Sequence, residues 1–154
     1  MALDPKDRRK RGLALYKKMG WGTNPALYEL DPELWRLTTE FVFGEVWARP
    51  GLSLRERELI CLAVLITLGT EGMDLHLRHA DTLGITENEL KEVIFQAMYY
   101  AGQPRGLFAM KRLKIVMAEK KHKQRQSRKR PAALRTANRK NRLAIKRGDC
   151  SGMQ

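Results

Sequence analysis

The stretch SLRERELICLAVLITLG, residues 53–69, is the strongest structural signal in the chain. Ser53 and Glu56 have the spacing of a capping box, in which each side chain bonds the backbone N–H of the other residue at a helix start. The residues that follow are almost all apolar up to Gly69. A helix that is apolar on most of its sides is buried in the protein. The stretch therefore predicts a buried helix.

Similar start and stop signals divide the chain on either side of this helix. Asp4 before Pro5 and Asp31 before Pro32 are helix starts, and Thr86 opens a second capping box. Glycines and prolines mark the ends. Helices are predicted over about residues 4–19, 32–49, 53–69, 73–84, 86–102 and 104–120. No segment has a convincing strand pattern, so we predict an all-α bundle of about six helices.

The second of these helices has its apolar residues at helical spacing, at Leu34, Leu37, Phe41 and Val42. Residues three and four apart lie on one side of an α-helix. We therefore expect these four side chains to form one apolar face.

The cysteines and the apolar runs indicate where the protein acts. Cys61 and Cys150 are far apart and form neither a disulfide framework nor a CxxC motif, which favours a reducing compartment. Cys61 is expected to be a small buried hydrophobe. The first residues are charged, and no apolar run reaches the about 18 residues of a membrane span. We expect a soluble, cytoplasmic protein.

Charge is distributed very unevenly. Residues 119–154 contain 13 Lys and Arg residues against two acidic residues, whereas the whole chain of 154 residues has a net charge of +13. We therefore predict a helical domain over residues 1–118 and a strongly basic tail over residues 119–154 that is disordered or conditionally helical. Such a tail is attracted to phosphate backbones, and without aromatic residues it would bind nucleic acid non-specifically. A solvated appendage without function is the alternative.

The stretch GMDLHLRHADTLG, residues 72–84, holds two of the three histidines. On a helical wheel His76 falls in an apolar stripe with Met73 and Leu77, and the stripe continues to Ala80. His79 lies to one side, roughly 60° from His76. A metal site needs at least three converging ligands, and no third one is evident nearby. His76 is either a hydrogen-bonded core histidine or a functional group.

Glu58 lies on the first turns of the buried helix, with Cys61, Leu62 and Leu65 on the same face. A carboxylate in apolar surroundings must be paired or have a raised pKa, and either condition suits proton transfer. The alternative is a solvated acid in the first turn, favoured by the helix dipole.

The corner FGEVWARPGLSLRER, residues 43–57, precedes and enters the same helix. It brings Glu45, Trp47, Arg49 and Arg57 around a Pro-Gly turn. An arginine beside an aromatic ring can hold a carboxylate in a fork while the ring forms a pocket wall. A surface arginine stacked on tryptophan is the alternative.

Together with HLRHADTLGITENELKEVI and YYAGQPRGLFAMK, this corner resembles the carboxymuconolactone decarboxylase family over roughly residues 8–118. The resemblance implies an AhpD-like, all-α fold that forms homotrimers or homohexamers. In that alignment His76, not His79, occupies the position of the family histidine. The peroxidases of this fold carry CxxC cysteines at positions equivalent to Gly69 and Gly72, so disulfide-based peroxide reduction is not expected.

The resemblance further implies a cofactor-independent decarboxylase of γ-carboxymuconolactone, or of a related small oxo-acid or lactone, in the β-ketoadipate pathway of aromatic catabolism. No metal and no cofactor are expected. A glutamate at position 58 is typical of the peroxidase-like branch, whereas the decarboxylases often have a small residue there. The expected site consists of His76 as proton donor or oxyanion partner, Glu58 as its catalytic partner, and Arg49, Arg57, Trp47, Glu45 and Tyr100 as substrate-binding residues.

Two other functions are compatible with the sequence. The chain is also interpretable as a non-enzymatic helical oligomer that binds nucleic acid through its basic tail. A family member with the same pocket can instead catalyse a different reaction, as a cyclase, a dehydratase or a peroxidase-like enzyme, because fold similarity does not determine chemistry.

Overall fold

The computed structural model describes residues 4–22 and 25–129, and this part of the chain is all-α, as predicted. Its α-helices are α1 Arg8–Lys18, α2 Pro25–Leu30, α3 Pro32–Leu37, α4 Leu54–Leu68, α5 Met73–His79, α6 Glu87–Ala101 and α7 Gln103–Lys129. A π-helix, Thr38–Val46, continues α3, and 3₁₀ turns cover Pro5–Asp7 and Ala80–Leu83. None of the helices in these ranges is both long and apolar enough to cross a membrane.

The predicted caps at Asp31, Ser53 and Thr86 are confirmed, whereas Asp4 precedes a 3₁₀ turn and α1 begins at Arg8 without a side-chain cap. The Ser53 hydroxyl accepts the backbone N–H of Glu56, and the Glu56 carboxylate accepts the N–H of Ser53 at 2.6 Å. Thr86 opens α6 with the same reciprocal pair of hydrogen bonds. The helix α4 ends at Gly69, which has a left-handed conformation with φ of 68°. Local side-chain chemistry therefore determines where the helices around the site begin and end.

The last helix is longer than predicted. It continues to Lys129 rather than ending near Lys120. Residues 120–129 contain no glycine or proline and are rich in Lys, Arg and Gln, which are good helix formers. The first compact unit of the chain ends at Met117 and the second begins at Ala118. Of the tail predicted over residues 119–154, the first 11 residues are helical, and residues 130–154 lie outside the described part.

Two groups of buried side chains form the interior of the first unit. The larger is aliphatic and is contributed by α4, α5, α6 and α7: Leu62, Ile66, Met73, Leu77, Ala80, Ile85, Leu90, Ile94, Ala97, Ala109, Leu113 and Val116. The smaller is aromatic and centres on Tyr16, Trp35 and Phe43, with Trp21 and Trp47 packed against it.

The expected apolar face of the second helix is not the buried one. Leu34, Leu37, Phe41 and Val42 are exposed, whereas Trp35, Thr39 and Phe43 are buried. Residues four apart drift by about 40° around an ideal α-helix. The π-helix has wider i→i+5 turns, which counter that drift, so Trp35, Thr39 and Phe43 stay on one side. The α-helical wheel therefore selected the wrong face.

The helix α1 lies directly against the π-helix, and two glycines allow the close approach. A Cβ atom at Gly12 would collide with the carbonyl of Thr39, and one at Gly44 would collide with the carbonyl of Arg8. The Arg11 side chain reinforces this contact by donating to the carbonyl oxygen of Gly44 at 3.0 Å. This crossing brings the end of α1 and the turn after it to the aromatic cluster.

Candidate active site

The structure brings Glu58 of α4 and His76 of α5 into direct contact. Nδ1 of His76 lies 2.9 Å from both carboxylate oxygens of Glu58. The contact requires the two helices to pack side by side, which the short link between Gly69 and Gly72 enforces. The prediction that His76 lies in the inward stripe of its helix is confirmed, because Met73, Leu77 and Ala80 are all buried.

Glu58 is fully buried, with 0% of its surface exposed. It is therefore not the solvated first-turn acid that the sequence left as an alternative. A buried carboxylate is stable only when it is paired or hydrogen-bonded. His76 is that partner, and its own side chain is 12% exposed. The carboxylate is thus shielded from solvent, whereas the imidazole ring is partly accessible to it.

The pKa of His76 reflects two opposing effects. Burial of the ring lowers the pKa, whereas hydrogen bonds with Cys61 and Glu58, together with the negative charge of Glu58, raise it. The raising effects dominate, and the pKa of His76 is raised from 6.5 to about 9. His76 is therefore an imidazolium at neutral pH and carries a proton that it can donate.

Two indole rings, which also contact each other, lie beside the histidine. The ring of Trp21 meets the ring of His76 edge to face, with centroids 4.9 Å apart, and the Trp47 ring lies 6.4 Å away. Trp47 was predicted as a pocket wall, and the structure places it beside His76. Trp21 was missed because it lies in the turn after α1, far from the family-like motifs in the sequence. Its only signal was a large aromatic residue between two glycines.

The Trp21 indole N–H is buried, and among the described residues it has no hydrogen-bond partner. A buried donor without a partner costs about 1–3 kcal/mol and calls for an explanation. A bound molecule with an oxygen atom near this N–H would supply the missing partner.

The thiol of Cys61 is also part of the cluster. Its Sγ lies 3.8 Å from Nε2 of His76, and the side chain is partly exposed. The expectation that Cys61 is simply a buried hydrophobe is therefore wrong. Glu58 and Cys61 are three residues apart on α4, so they lie on one face and contact the two nitrogens of the same ring.

The residues of the corner have different surroundings. Arg57 donates from Nη2 to the carbonyl oxygen of Arg49 at 2.8 Å, which ties the Pro-Gly turn to the start of α4. Its Nε is buried and without a partner in the described part of the chain. The side chain of Arg49 is exposed. Glu45 forms an ion pair with Arg8 of α1, so this carboxylate holds the helix crossing rather than facing His76.

Tyr100 is not brought to this cluster. It is 80% exposed and lines an apolar groove of about 310 Å³ with residues of α4 and α6 that include Ala63, Thr67 and Gln96. Ala63 and Thr67 lie on a different face of α4 from Glu58. The sequence placed Tyr100 in the pocket because of its family-like motif, and the helix directions place it elsewhere.

His79 and Gly69 take no part in the contact between Glu58 and His76. His79 is close to Gly20 and not to the Glu58 carboxylate, so the two histidines have separate surroundings. Over residues 4–22 and 25–129, no three His, Cys, Asp or Glu side chains are grouped so that they could hold a metal ion. Gly69 is left-handed, and the Arg105 guanidinium occupies the space that a side chain at position 69 would need.

Comparisons with known proteins show which proteins the chain resembles. The sequence model of the Carboxymuconolactone decarboxylase family matches residues 32–114. The chain is similar to a 4-carboxymuconolactone decarboxylase of Acinetobacter baylyi, with 40% identity over 85 residues, which are 54% of this chain and 63% of that protein. It is also similar to the nitrosuccinic acid decarboxylase npaB of Metarhizium robertsii, with 39% identity over 77 residues, which are 48% of this chain and 52% of that protein. The chain thus covers less than two thirds of either relative.

Proposed function

The chain belongs to the carboxymuconolactone decarboxylase family, and from this membership and the site we propose that it is a cofactor-independent carboxy-lyase. Its first candidate substrate is 4-carboxymuconolactone, in the β-ketoadipate pathway of aromatic catabolism. The cysteine usage favours action in the reducing cytoplasm.

One observation carries the proposal, namely the contact of the buried Glu58 carboxylate with His76, beside two indole rings. Loss of CO2 leaves an electron pair on the substrate, which must be accepted by a neighbouring group and then protonated at carbon. An imidazolium in a desolvated pocket stabilises the developing negative charge and afterwards supplies the proton. A pKa of about 9 keeps His76 in that form at neutral pH.

In this proposal the two ring nitrogens have different tasks. Nδ1 faces Glu58, which holds the ring in one orientation, and Nε2, which lies 3.8 Å from the Cys61 sulfur, is the nitrogen that acts on the substrate. Glu58 is buried and acts through His76, as the group that keeps the imidazolium charged and oriented. His76 is the proton donor in this proposal.

Substrate carboxylates need cationic partners. Arg57 has a buried Nε without a partner among the described residues, and the Arg49 side chain is exposed at the same turn. A planar guanidinium can hold a carboxylate with two parallel hydrogen bonds. We therefore assign the carboxylate that remains on the substrate to Arg57 and Arg49, with the rings of Trp47 and Trp21 as apolar walls.

The names of the two relatives support the same class of reaction. 4-Carboxymuconolactone carries a lactone carbonyl, and nitrosuccinic acid carries a nitro group; both groups accept an electron pair when a carboxylate leaves as CO2. Both compounds also have two carboxyl groups. The substrate class that we propose is accordingly a small dicarboxylic acid with an electron-accepting group.

The test is a direct assay of CO2 release from 4-carboxymuconolactone and from nitrosuccinic acid. The full-length protein should release CO2 from at least one of them, and His76→Gln should lower turnover by at least about 100-fold, the lower end of general acid–base catalysis. His79→Gln, on the same helix, is the matched control and should keep the activity. Activity that survives in folded His76→Gln would contradict the role of His76.

We also propose that the active form is a homotrimer or homohexamer. The helices α4 and α6 pack together, and both expose large apolar side chains on this side of the molecule: Ile60, Val64, Leu68, Phe95, Tyr99 and Tyr100. Exposed apolar patches of this kind mark interaction surfaces. A second copy would cover the groove that Tyr100 lines.

A second candidate function concerns the basic segment. Residues 121–128 at the end of α7 are exposed, and four of these eight are Lys or Arg. A basic helix of this kind can neutralise backbone phosphates without reading their sequence. Replacing Lys121, Lys123, Arg125 and Arg128 with Gln should weaken binding to duplex nucleic acid and reduce its salt dependence. Binding that is unchanged in this variant would contradict a role for α7.

A further inference from the structure

Glu58 contacts His76, and His76 in turn contacts Cys61. The proposed decarboxylase mechanism uses Glu58 and His76 but gives Cys61 no role. The Glu58 carboxylate contacts Nδ1 of His76 at 2.9 Å, and Nε2 of the same ring contacts the Cys61 sulfur at 3.8 Å. A nucleophile beside a base whose other nitrogen is oriented by a third group is the arrangement that activates a thiol. We infer that Cys61 is an activated nucleophile and a site of covalent modification by small electrophiles, including hydrogen peroxide.

The surroundings favour the thiolate. A positively charged imidazole beside a cysteine stabilises the deprotonated sulfur. His76 can provide that charge because buried Glu58 stabilises the imidazolium from the far side of the ring. The negative charge of Glu58 is closer to the imidazole than to the sulfur, so it acts on Cys61 mainly through His76.

The sulfur is also accessible. Cys61 is a free cysteine that is partly exposed, unlike the inert, fully buried cysteines of protein interiors. A small electrophile can therefore reach the thiol.

The reaction with peroxide is balanced as follows. With the proton already on Nε2 of the His76 imidazolium, the Cys61 thiolate attacks one oxygen of hydrogen peroxide. The S–O bond forms as the O–O bond breaks, and the departing hydroxide takes the proton from His76 to leave as water. Sulfur is oxidised by two electrons and the peroxide is reduced, which gives a sulfenic acid on Cys61. Two molecules of a small thiol would restore Cys61: the first forms a mixed disulfide and water, and the second releases the cysteine and leaves as a disulfide with the first.

The modification has a consequence for the proposed enzyme, and this consequence rests on the proposed function. A sulfenic acid or an alkyl group on Cys61 would lie against Nε2, the nitrogen assigned to the substrate. Modified protein should therefore lose CO2 release. The reactivity itself depends only on the three side chains and is measured without substrate.

The test is the rate of alkylation by iodoacetamide in the full chain carrying Cys150→Ser, so that Cys61 is the remaining thiol. At about pH 6.5 an ordinary thiol is only about 1% ionised. Because the His76 ring lies 3.8 Å from the sulfur, Cys61 should react faster than N-acetylcysteine, and His76→Gln should remove this advantage.

The native and denatured forms of the same protein provide a second comparison that needs no folded variant. Native Cys150→Ser should react faster than the protein in denaturant, and dimedone should trap a sulfenic acid on Cys61 after peroxide treatment. A native rate at or below the denatured rate, or an unchanged rate in folded His76→Gln, overturns the inference. His79→Gln is the control and should react as the parent does.

Discussion

At the scale of single residues, the site depends on a carboxylate that has no contact with water. Glu58 has 0% exposure, and it holds the ring of His76 through both of its oxygens. Because the pair is enclosed, its electrostatic attraction is weakly screened. The same contact therefore orients the ring and keeps it charged, and these are the two conditions that a general acid at neutral pH requires.

Trp21 allows a prediction about the pocket wall. Trp21→Phe keeps an aromatic ring against His76 and removes the buried N–H that lacks a partner among the described residues. If this N–H donates to a substrate carboxylate or oxyanion, its loss should lower kcat/KM by about 10-fold to 100-fold, the range for hydrogen bonds to charged groups. Steady-state kinetics of CO2 release measure the effect. Wild-type kinetics in Trp21→Phe would limit Trp21 to packing.

Which single residues could be predicted depended on where their signals lie. His76 and Glu58 were found because helical periodicity reports which side of a helix each residue occupies, and both lie within regular helices. Trp21 lies in a turn, where no periodicity applies, and its contact with His76 spans 55 positions of the chain. Glu45 was placed in the pocket because its partner, Arg8, is also distant in sequence.

At the scale of elements, the crossing of α1 over the π-helix controls the aromatic side of the site. Gly12 and Gly44 let the two backbones touch, and Tyr16 then packs edge to face on Phe43 with centroids 4.6 Å apart. The turn that follows α1 delivers Trp21 to His76. The residues of α1 precede the segment 32–114 that matches the family, so this wall is contributed by a part of the chain outside that match.

The close contact between α1 and the π-helix can be tested by adding one methyl group at position 12. Gly12→Ala places a Cβ atom against the carbonyl of Thr39 and forces the helices apart, which should reduce the free energy of unfolding by about 1–3 kcal/mol. Gly51→Ala is the control, since Gly51 has open space around it and lies in an exposed turn. Urea denaturation measures both. Equal stability of Gly12→Ala and the parent would show that this contact is not tight in solution.

The elements themselves were largely predictable, and the reason is local. Caps such as Ser53 with Glu56 act over three residues, so their signal is complete within the sequence window. The π-helix at Thr38–Val46 was not predictable, because a widened turn is stabilised by packing against another element. Because of this widening, the apolar face predicted from α-helical spacing is not the face of this helix that is buried. The extension of α7 to Lys129 lies in the basic segment that was expected to be disordered or conditionally helical, and its first residues are helical.

At the scale of the whole molecule, the sequence predicts the fold class but does not show which sides of the packed helices remain exposed. The helical prediction followed from apolar periodicity, whereas the exposed apolar side of α4 and α6 becomes visible only when both helices are placed. This side is apolar, whereas the end of α7 is positively charged, so the two surfaces should bind different partners. We expect a second copy of the chain at the first and an anionic polymer at the second.

Assembly through the apolar side has a simple test. Val64 is 50% exposed beside the groove, and Val64→Glu places a charge where the second copy is proposed to pack. A buried unpaired charge is costly, so the oligomer should dissociate to monomers in sedimentation measurements. Asn88→Glu, at an exposed position near the start of α6, is the control and should leave the oligomer intact. A Val64→Glu protein with unchanged mass would place the interface elsewhere.

The pH dependence of kcat/KM for CO2 release tests most directly whether the Glu58–His76 pair is the acid. Because the pKa of His76 is raised to about 9, the proton donor is present below that pH, and activity should stay level through neutral pH and fall above about pH 9. Glu58→Gln removes the hydrogen-bonding charge, so its residual activity should begin to fall at lower pH. A wild-type profile that falls near pH 6.5, or identical profiles for the wild type and folded Glu58→Gln, would contradict the account.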